Sequence, residues 1–158
     1  METFLERQST LEDKEWIWGL YEALLKEPIS EQWGWDLEYQ QSFFADDLAY
    51  DKFKILSAGG IDKACYVVNA EPDQFYLKML LVDERFQQSG IGKRIIKALI
   101  NLAQKMQLPI RLSVIKANPV VGFYLKQGFI VTGEEDGSIE MEFIEGIRIE
   151  HADVPNPI

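Results

Sequence analysis

The chain has 158 residues, 47% of them hydrophobic and 27% charged, which is the balance of one soluble globular domain able to fold without a disulfide or metal staple. A formal net charge of -10 argues against nucleic acid and anionic membrane as partners, because both demand a basic face. The acidic balance is compatible with a cationic acceptor, or simply with a solvated surface kept soluble by repulsion.

The N-terminal stretch METFLERQSTLEDKEW is acidic and lacks a long apolar core, so it reads as neither a secretory signal nor a transit peptide. No apolar run approaches the roughly 18 residues of a membrane span. A cytoplasmic location is expected. The single cysteine, Cys65, lies in the apolar run KACYVV and reads as a small buried hydrophobe.

In chain order, a short strand is expected over 3–7. Ser9 with Glu12 three residues on has the spacing of a capping box and predicts a helix start. Leu11, Ile17, Leu20, Tyr21, Leu24 and Leu25 then return to one face, and Pro28 is expected to stop the run. A second helix, opening at Ser30 and Glu31 or at Trp35 and Asp36, is expected to reach about Asp46, with Tyr39, Phe43 and Phe44 on one side. The β-prone runs 53–58 and 64–68 flank the turn Gly59-Gly60-Ile61-Asp62 and read as a hairpin. Another strand follows over 74–82, after the turn residues Glu71, Pro72 and Asp73.

From Gly90 the period becomes helical: Ile91, Ile95, Ile96, Leu99, Leu102, Ala103 and Met106 form one stripe, and Pro109 ends it. Residues 110–115 alternate as a strand. Asn118-Pro119 opens a short helix through Phe123, Tyr124 and Leu125, with Gly128 as its stop. Two last strands, 129–131 and 139–144, flank a polar turn over 133–138, and the tail 151–158 with its two prolines is expected to be loose. The order of elements predicts an α/β fold: a mixed, largely antiparallel sheet flanked by helices on both faces, in a single domain over 1–158 without internal repeats.

Two glycines directly before an amphipathic helix suggest an anion site. A strand ending near Val82 and a helix starting at Gly90 and Gly92 would present unpaired N–H groups at the positive end of the helix dipole. Glycine there keeps side chains from holding a diphosphate off the backbone, and Lys93 and Arg94 add charge. Two phosphate loops of fixed spacing do not fit. A Walker A loop needs glycine where Gln87 stands and Ser or Thr where Arg94 stands; a dinucleotide fingerprint needs glycine where Ile95 stands.

The run Gln87-Gln88-Ser89-Gly90-Ile91-Gly92 resembles motif A, Q/R-x-x-G-x-G/A, of the GNAT superfamily of acyl-CoA N-acyltransferases. The later LSVIKANPVVGFYLKQGF is similar to the segment that follows motif A in that family, with Asn118, Tyr124, Gly128 and Phe129 in matching places. The resemblance is close over 74–144 and covers the first two helices in outline. Two positions depart, Gln88 where many members have glycine and Glu84 where many have proline, and neither removes a backbone N–H that binding needs.

The resemblance implies a GNAT-like fold that uses acetyl-CoA as acyl donor without a metal. Backbone groups near Leu80 and Val82 would pair with the pantetheine arm in a splayed gap of the sheet. Gln87, Gln88, Ser89, Gly90, Ile91, Gly92 and Lys93 would take the diphosphate. Asn118 would hold the arm or an ordered water, although Asn before Pro is also an ordinary helix-start residue. Tyr124 would be the general acid for the departing thiolate. The loop between the first two helices walls the acceptor cleft in the family, which makes Trp33, Trp35 and Tyr39 candidates for acceptor contacts; the tryptophans would serve equally as core fillers.

The only histidine, His151, lies in the tail, so the expected base is a carboxylate acting through water, Glu71, Asp73 or Glu31, or none. The expected function is acetyl transfer from acetyl-CoA to a primary amine of a small molecule or peptide. The alternative is a non-catalytic acyl-CoA-binding sensor, which could dispense with Tyr124. Dimers are frequent in the family, and the C-terminal strand is where a homodimer would pair.

Overall fold

The computed structural model describes residues 3–144. The first strand, β1 (Leu5–Gln8), pairs antiparallel with β2 (Lys54–Ala58) at one edge of the sheet. The cap between β1 and the first helix sits one residue later than the pattern predicts. Asp13 accepts from the Thr10 N–H at 2.8 Å and from the Thr10 hydroxyl at 3.3 Å. Ser9 instead turns inward, donating to the Tyr50 carbonyl at 2.7 Å and accepting from the Phe53 N–H at 3.0 Å, so it ties the end of β1 to the segment entering β2.

Helix α1 (Lys14–Gln32) does not stop at Pro28 but runs through it. A proline inside a helix costs about 3 kcal/mol through the lost bond and the ring clash. Pro28 and Ile29 are both buried, and Ile29 extends the apolar face of Ile17, Leu20, Tyr21 and Leu25. Burying each such side chain returns about 2 kcal/mol, enough to carry the helix one turn further.

Of the two predicted starts for α2 (Leu37–Phe43), the one at Asp36 is used: its carboxylate accepts from the Tyr39 N–H at 3.1 Å. The helix then widens into a single π-turn, Phe44–Leu48, which buries Phe44 and Leu48 and ends at Ala49 with φ 55°. Tyr39 is not on the buried side with Phe44; it stands 64% exposed.

Seven strands form one sheet in the order β1-β2-β3-β4-β5-β7-β6. Strands β3 (Ile61–Ala70), β4 (Phe75–Val82), β5 (Ile110–Ile115), β6 (Ile130–Glu135) and β7 (Ser138–Phe143) complete it, and only the β4–β5 pair is parallel. The turn between β2 and β3 shrinks to Gly59-Gly60, whose φ values of 61° and 78° suit the tight turn of a twisted hairpin. The hairpin β6–β7 is longer than predicted, because Glu134 and Glu135 continue the ladder and leave Asp136-Gly137 as the turn.

Helices α1 and α2 cover one face of the sheet, where Ile17, Tyr21, Phe44, Phe53, Cys65 and Leu81 share a core. On the other face lie α3 (Ile91–Met106) and α4 (Val121–Lys126). Their core joins Leu77, Ile96, Leu99, Leu112, Tyr124 and Met141. Leu102 and Met106, expected on the buried stripe of α3, are exposed. No helix among the described residues is long and apolar enough to cross a membrane. The tail expectation for 151–158, with His151, lies outside the described residues.

Two irregularities in β4 position the site. The β4–β5 ladder holds only Phe75 to Ile110 and Tyr76 to Arg111, after which the strands run on to Val82 and Ile115 without a further pair. In the β3–β4 ladder Val67 faces Met79 and Val68 faces Leu77, so Lys78 is the extra residue of a bulge at the place where the strands part.

Candidate active site

The loop after β4 folds back on itself through short polar contacts. Asp83 accepts from the Arg85 N–H at 3.0 Å and pairs with its guanidinium at 3.0 Å, which holds the carboxyl below its ordinary pKa. The Gln87 amide donates to the Val82 carbonyl at 3.0 Å, and the Ser89 hydroxyl donates to the Phe86 carbonyl. Gln88 and Gly90 then take left-handed φ values of 72° and 86°. The Arg94 N–H donates to the Gly90 carbonyl at 2.9 Å as the first bond of α3. The amides of Gln88, Gly90, Ile91, Gly92 and Lys93 consequently have no protein acceptor among the described residues. They sit at the positive end of the α3 dipole, a concave set of donors suited to an anion.

The glycines divide the work in a way the sequence does not reveal. Gly90 supplies the left-handed turn before α3, with open space around it. At Gly92 a Cβ would lie 3.4 Å from the Phe123 ring and 3.7 Å from Val82, an ordinary packing contact between α3 and its neighbours. Gln88 holds its left-handed conformation at a cost of about 1–2 kcal/mol that glycine would avoid.

Tyr124 lies on the same face, 6% exposed, in a core that includes Leu77 and Leu80 of β4 and Leu112 and Val114 of β5, the two strands flanking the opening. Its ring meets Phe123 and Phe129 edge-on at 5.1 and 5.6 Å. No hydrogen bond reaches its hydroxyl among the described residues. Burial pushes the phenol pKa well up, so the proton stays on. A buried hydroxyl without a partner costs about 1–3 kcal/mol, which a ligand in the opening could recover. Asn118 accepts from the Val120 N–H at 3.1 Å and forms the turn that launches α4. Its helix-start role is therefore present in the fold.

The opposite face of the opening belongs to α1, α2 and the polar positions of three strands. Lys78, at the bulge, donates to the Asp47 carbonyl in the π-turn. Trp33, Trp35 and Tyr39 are not gathered into one surface. Trp35 packs at 6.3 Å from both Trp18 and Tyr21, with the Lys26 ammonium 5.8 Å from its ring. Trp33 is 54% exposed and donates to the Asp136 carbonyl at 3.1 Å. Among the three carboxylates expected as bases, Glu71 accepts from the Gln74 amide at 2.8 Å, while Asp73 and Glu31 are exposed.

Sequence reasoning passed over Tyr76, Ser113 and Glu140, which share this face. Their signal was the polar alternation within 110–115 and 138–143, where Arg111, Ser113, Glu140 and Glu142 interleave with buried Leu112, Val114, Met141 and Phe143. No cluster of three or more His, Cys, Asp or Glu side chains able to hold a metal occurs among the described residues.

A family model described as the Acetyltransferase (GNAT) domain matches residues 48–145. No curated protein sequence matches the chain. Among solved structures, the PaiA N-acetyltransferase of Thermoplasma acidophilum in complex with coenzyme A superposes with a TM-score of 0.72 at 19% identity, over 90% of this chain and 99% of that one. An Arabidopsis thaliana protein crystallised with the bisubstrate analogue CoA-Ac-MVNAL matches at a TM-score of 0.62 and 17% identity, over 89% and 97% of the two chains. The N-acetylglutamate synthase of Neisseria gonorrhoeae, complexed with coenzyme A and N-acetyl-glutamate, matches at 0.60 and 18%, over 90% of this chain and 35% of that one.

Proposed function

The chain belongs to the GNAT acetyltransferase family, and from that premise we propose that it transfers the acetyl group of acetyl-CoA to a primary amine of a small molecule or peptide by direct attack, with Tyr124 as general acid. The observation that carries this is the conjunction of five acceptorless amides at the start of α3 with a buried, unpartnered Tyr124 phenol beside the opening between β4 and β5. The amides and the Lys93 ammonium neutralise the diphosphate, while backbone groups of Leu80 and Val82 bind the pantetheine arm as an added strand would. Asn118 holds the arm or an ordered water. The Val82 carbonyl already accepts one hydrogen bond, from the Gln87 side chain, and keeps one lone pair.

The amine nitrogen attacks the thioester carbon; the N–C bond forms, the C–S bond breaks, and sulfur leaves with the electron pair. A thiol has an ordinary pKa of about 8.5, and a phenol about 10. With its pKa raised further, Tyr124 acts first as a hydrogen-bond donor that strengthens as charge grows on sulfur. The proton it then passes on is replaced by the one the amine has lost, so the phenol ends as it began. Both peptide and small-molecule amines remain in the reading, because the bisubstrate analogue and the N-acetyl-glutamate complex of the two structural neighbours represent one each.

The test is a coenzyme A titration followed at the amides of 87–93, then incubation of acetyl-CoA and a thiol reagent with polyamines, aminoglycosides, amino acids and N-terminal peptides. Shifted amide signals and amine-dependent release of coenzyme A are expected. Binding without release by any amine would replace the enzyme with an acyl-CoA sensor, and unmoved amides would remove the coenzyme site itself.

A further inference from the structure

On the α1/α2 face of the sheet, a polar set surrounds the point where β4 and β5 part, and coenzyme binding leaves it unused. Tyr76 of β4 stands opposite Arg111 at the last β4–β5 pair, and Ser113, the next β5 residue on that face, stands opposite Glu140 of β7. The Ser113 hydroxyl donates to Glu140 Oε2 at 2.9 Å. Arg111 reaches Glu142 Oε2 at 2.6 Å and the Gln74 oxygen at 2.7 Å. Glu142 is thus neutralised by a guanidinium and Glu71 is engaged by Gln74, whereas the Glu140 side chain meets only a neutral hydroxyl.

Tyr76 is half-buried, and its phenol has no hydrogen-bond partner among the described residues. Burial raises its pKa, and the charges of Glu140 and then Glu71 raise it further. Around Glu140 the strands on this face place Tyr76, Lys78 and, in the turn before β4, Glu71, with Arg111 from β5, Glu142 from β7 and Glu135 from β6, while from α1 the Lys26 ammonium is held over the Trp35 ring. Lys78 is bonded to a backbone carbonyl and Arg111 to Glu142, so neither cation neutralises Glu140.

An aliphatic amine is almost wholly protonated at neutral pH, with a pKa of about 10.4 for a lysine-like group, and an ammonium has no lone pair with which to attack. We propose that Glu140, oriented by Ser113, is the proton acceptor for the incoming amine. This rests on the transferase reading above. The ammonium is drawn to the uncompensated carboxylate and passes one proton to a Glu140 oxygen. The freed lone pair attacks the acetyl carbon, the C–S bond breaks, sulfur takes the Tyr124 proton, and the second proton shed by the new amide nitrogen restores the Tyr124 phenol. Glu140 returns its proton to solvent. Ser113 is a positioning residue.

The experiment compares two nucleophiles with bound acetyl-CoA, n-butylamine, which must lose a proton, and hydroxylamine, which is already neutral. Coenzyme A release is followed across neutral pH for the wild type, Glu140→Gln and Ser113→Ala, with coenzyme A affinity measured alongside. In Glu140→Gln the n-butylamine rate should fall about a hundredfold near neutrality and recover as pH rises, while the hydroxylamine rate stays within about twofold. Ser113→Ala should show a smaller loss with the same selectivity. Equal losses with both nucleophiles would assign Glu140 a structural role, and an unchanged n-butylamine rate would assign it none; either overturns the inference and leaves the transferase standing. A wild type that binds coenzyme A but accelerates neither these nucleophiles nor any amine of the panel above would instead overturn the transferase, and Glu140's role with it.

Discussion

The Trp33 indole donates to the Asp136 carbonyl at 3.1 Å, joining the end of α1 to the turn between β6 and β7. The next residue back, Gln32, lies against that same turn: a Cβ on Gly137 would come within 2.7 Å of its amide nitrogen. Two segments far apart in the chain are thereby fastened together on the face proposed for the acceptor. Trp33→Phe keeps an aromatic ring and removes the donor, at a cost of about 0.5–1.5 kcal/mol for one exposed hydrogen bond. The expected outcome is a several-fold rise in acceptor KM with the acetyl-CoA KM unchanged. Parallel changes in both constants would make the contact purely structural.

Tyr124→Phe separates chemistry from packing, because the ring and its edge-on contacts to Phe123 and Phe129 remain while the unpartnered hydroxyl goes. Removing a buried hydroxyl that has no partner should leave the apoprotein's Tm unchanged or slightly higher. Turnover should fall by about a hundredfold. Unchanged turnover would dispose of the general-acid role, and a markedly lower Tm would show that the hydroxyl is already satisfied in the free protein.

Gly90 and Gly92 should fail in different ways. At Gly90, φ 86° with open space beyond makes Gly90→Ala a backbone problem of about 1–2 kcal/mol that disturbs the amide cradle directly, so coenzyme A affinity should drop with little loss of core packing. At Gly92 the backbone is helical and the added methyl meets the Phe123 ring. That contact is at an ordinary van der Waals distance, so Gly92→Ala should leave Tm level or slightly raised through alanine's better helix propensity, and any loss should fall on coenzyme A affinity alone. Calorimetry on both variants, with coenzyme A titration and thermal unfolding, distinguishes them. The reverse change, Gln88→Gly, relieves a strained left-handed residue and should raise stability or leave it level.

What the sequence made legible was whatever rests on local pattern. Periodicity located α3, alternation located β5, and the glycine spacing located the acceptorless amides at the start of α3, since each depends on residues close together in the chain. Cys65 is buried, as its apolar run implied, and burial pushes its thiol pKa up. What failed depended on tertiary packing. Pro28 stays helical because Ile29 has a core to enter, and Ser9 abandons the cap because Tyr50 and Phe53 offer it better partners. Trp35 and Trp33 have similar sequence surroundings yet differ, one packed on Trp18 and the other reaching Asp136. Glu140 could not be singled out among many acids, because its distinction from Glu142 is which neighbour on β5 each one meets.

The ion pair between Arg7 and Asp13 makes a prediction about acid. The Arg7 guanidinium hydrogen-bonds both Asp13 oxygens at 2.8 and 2.9 Å and also reaches Asp62 at 2.9 Å, and it holds the Asp13 carboxyl down at about 2. The folded value lies below the unfolded one of about 3.9, so the pair's stabilisation is fully present above that unfolded value and is lost as pH falls through the folded one. Since the Arg7 side chain is 42% exposed, solvent screening limits the neutral-pH contribution to about 1 kcal/mol or less. Asp13→Asn should therefore lower Tm by about 2–4 °C at most at neutral pH. The gap between variant and wild type should close between about pH 4 and about pH 2, and it should also shrink in high salt. A gap that persists undiminished in acid would mean that the bond to Thr10, rather than the charge on Asp13, is what steadies the start of α1.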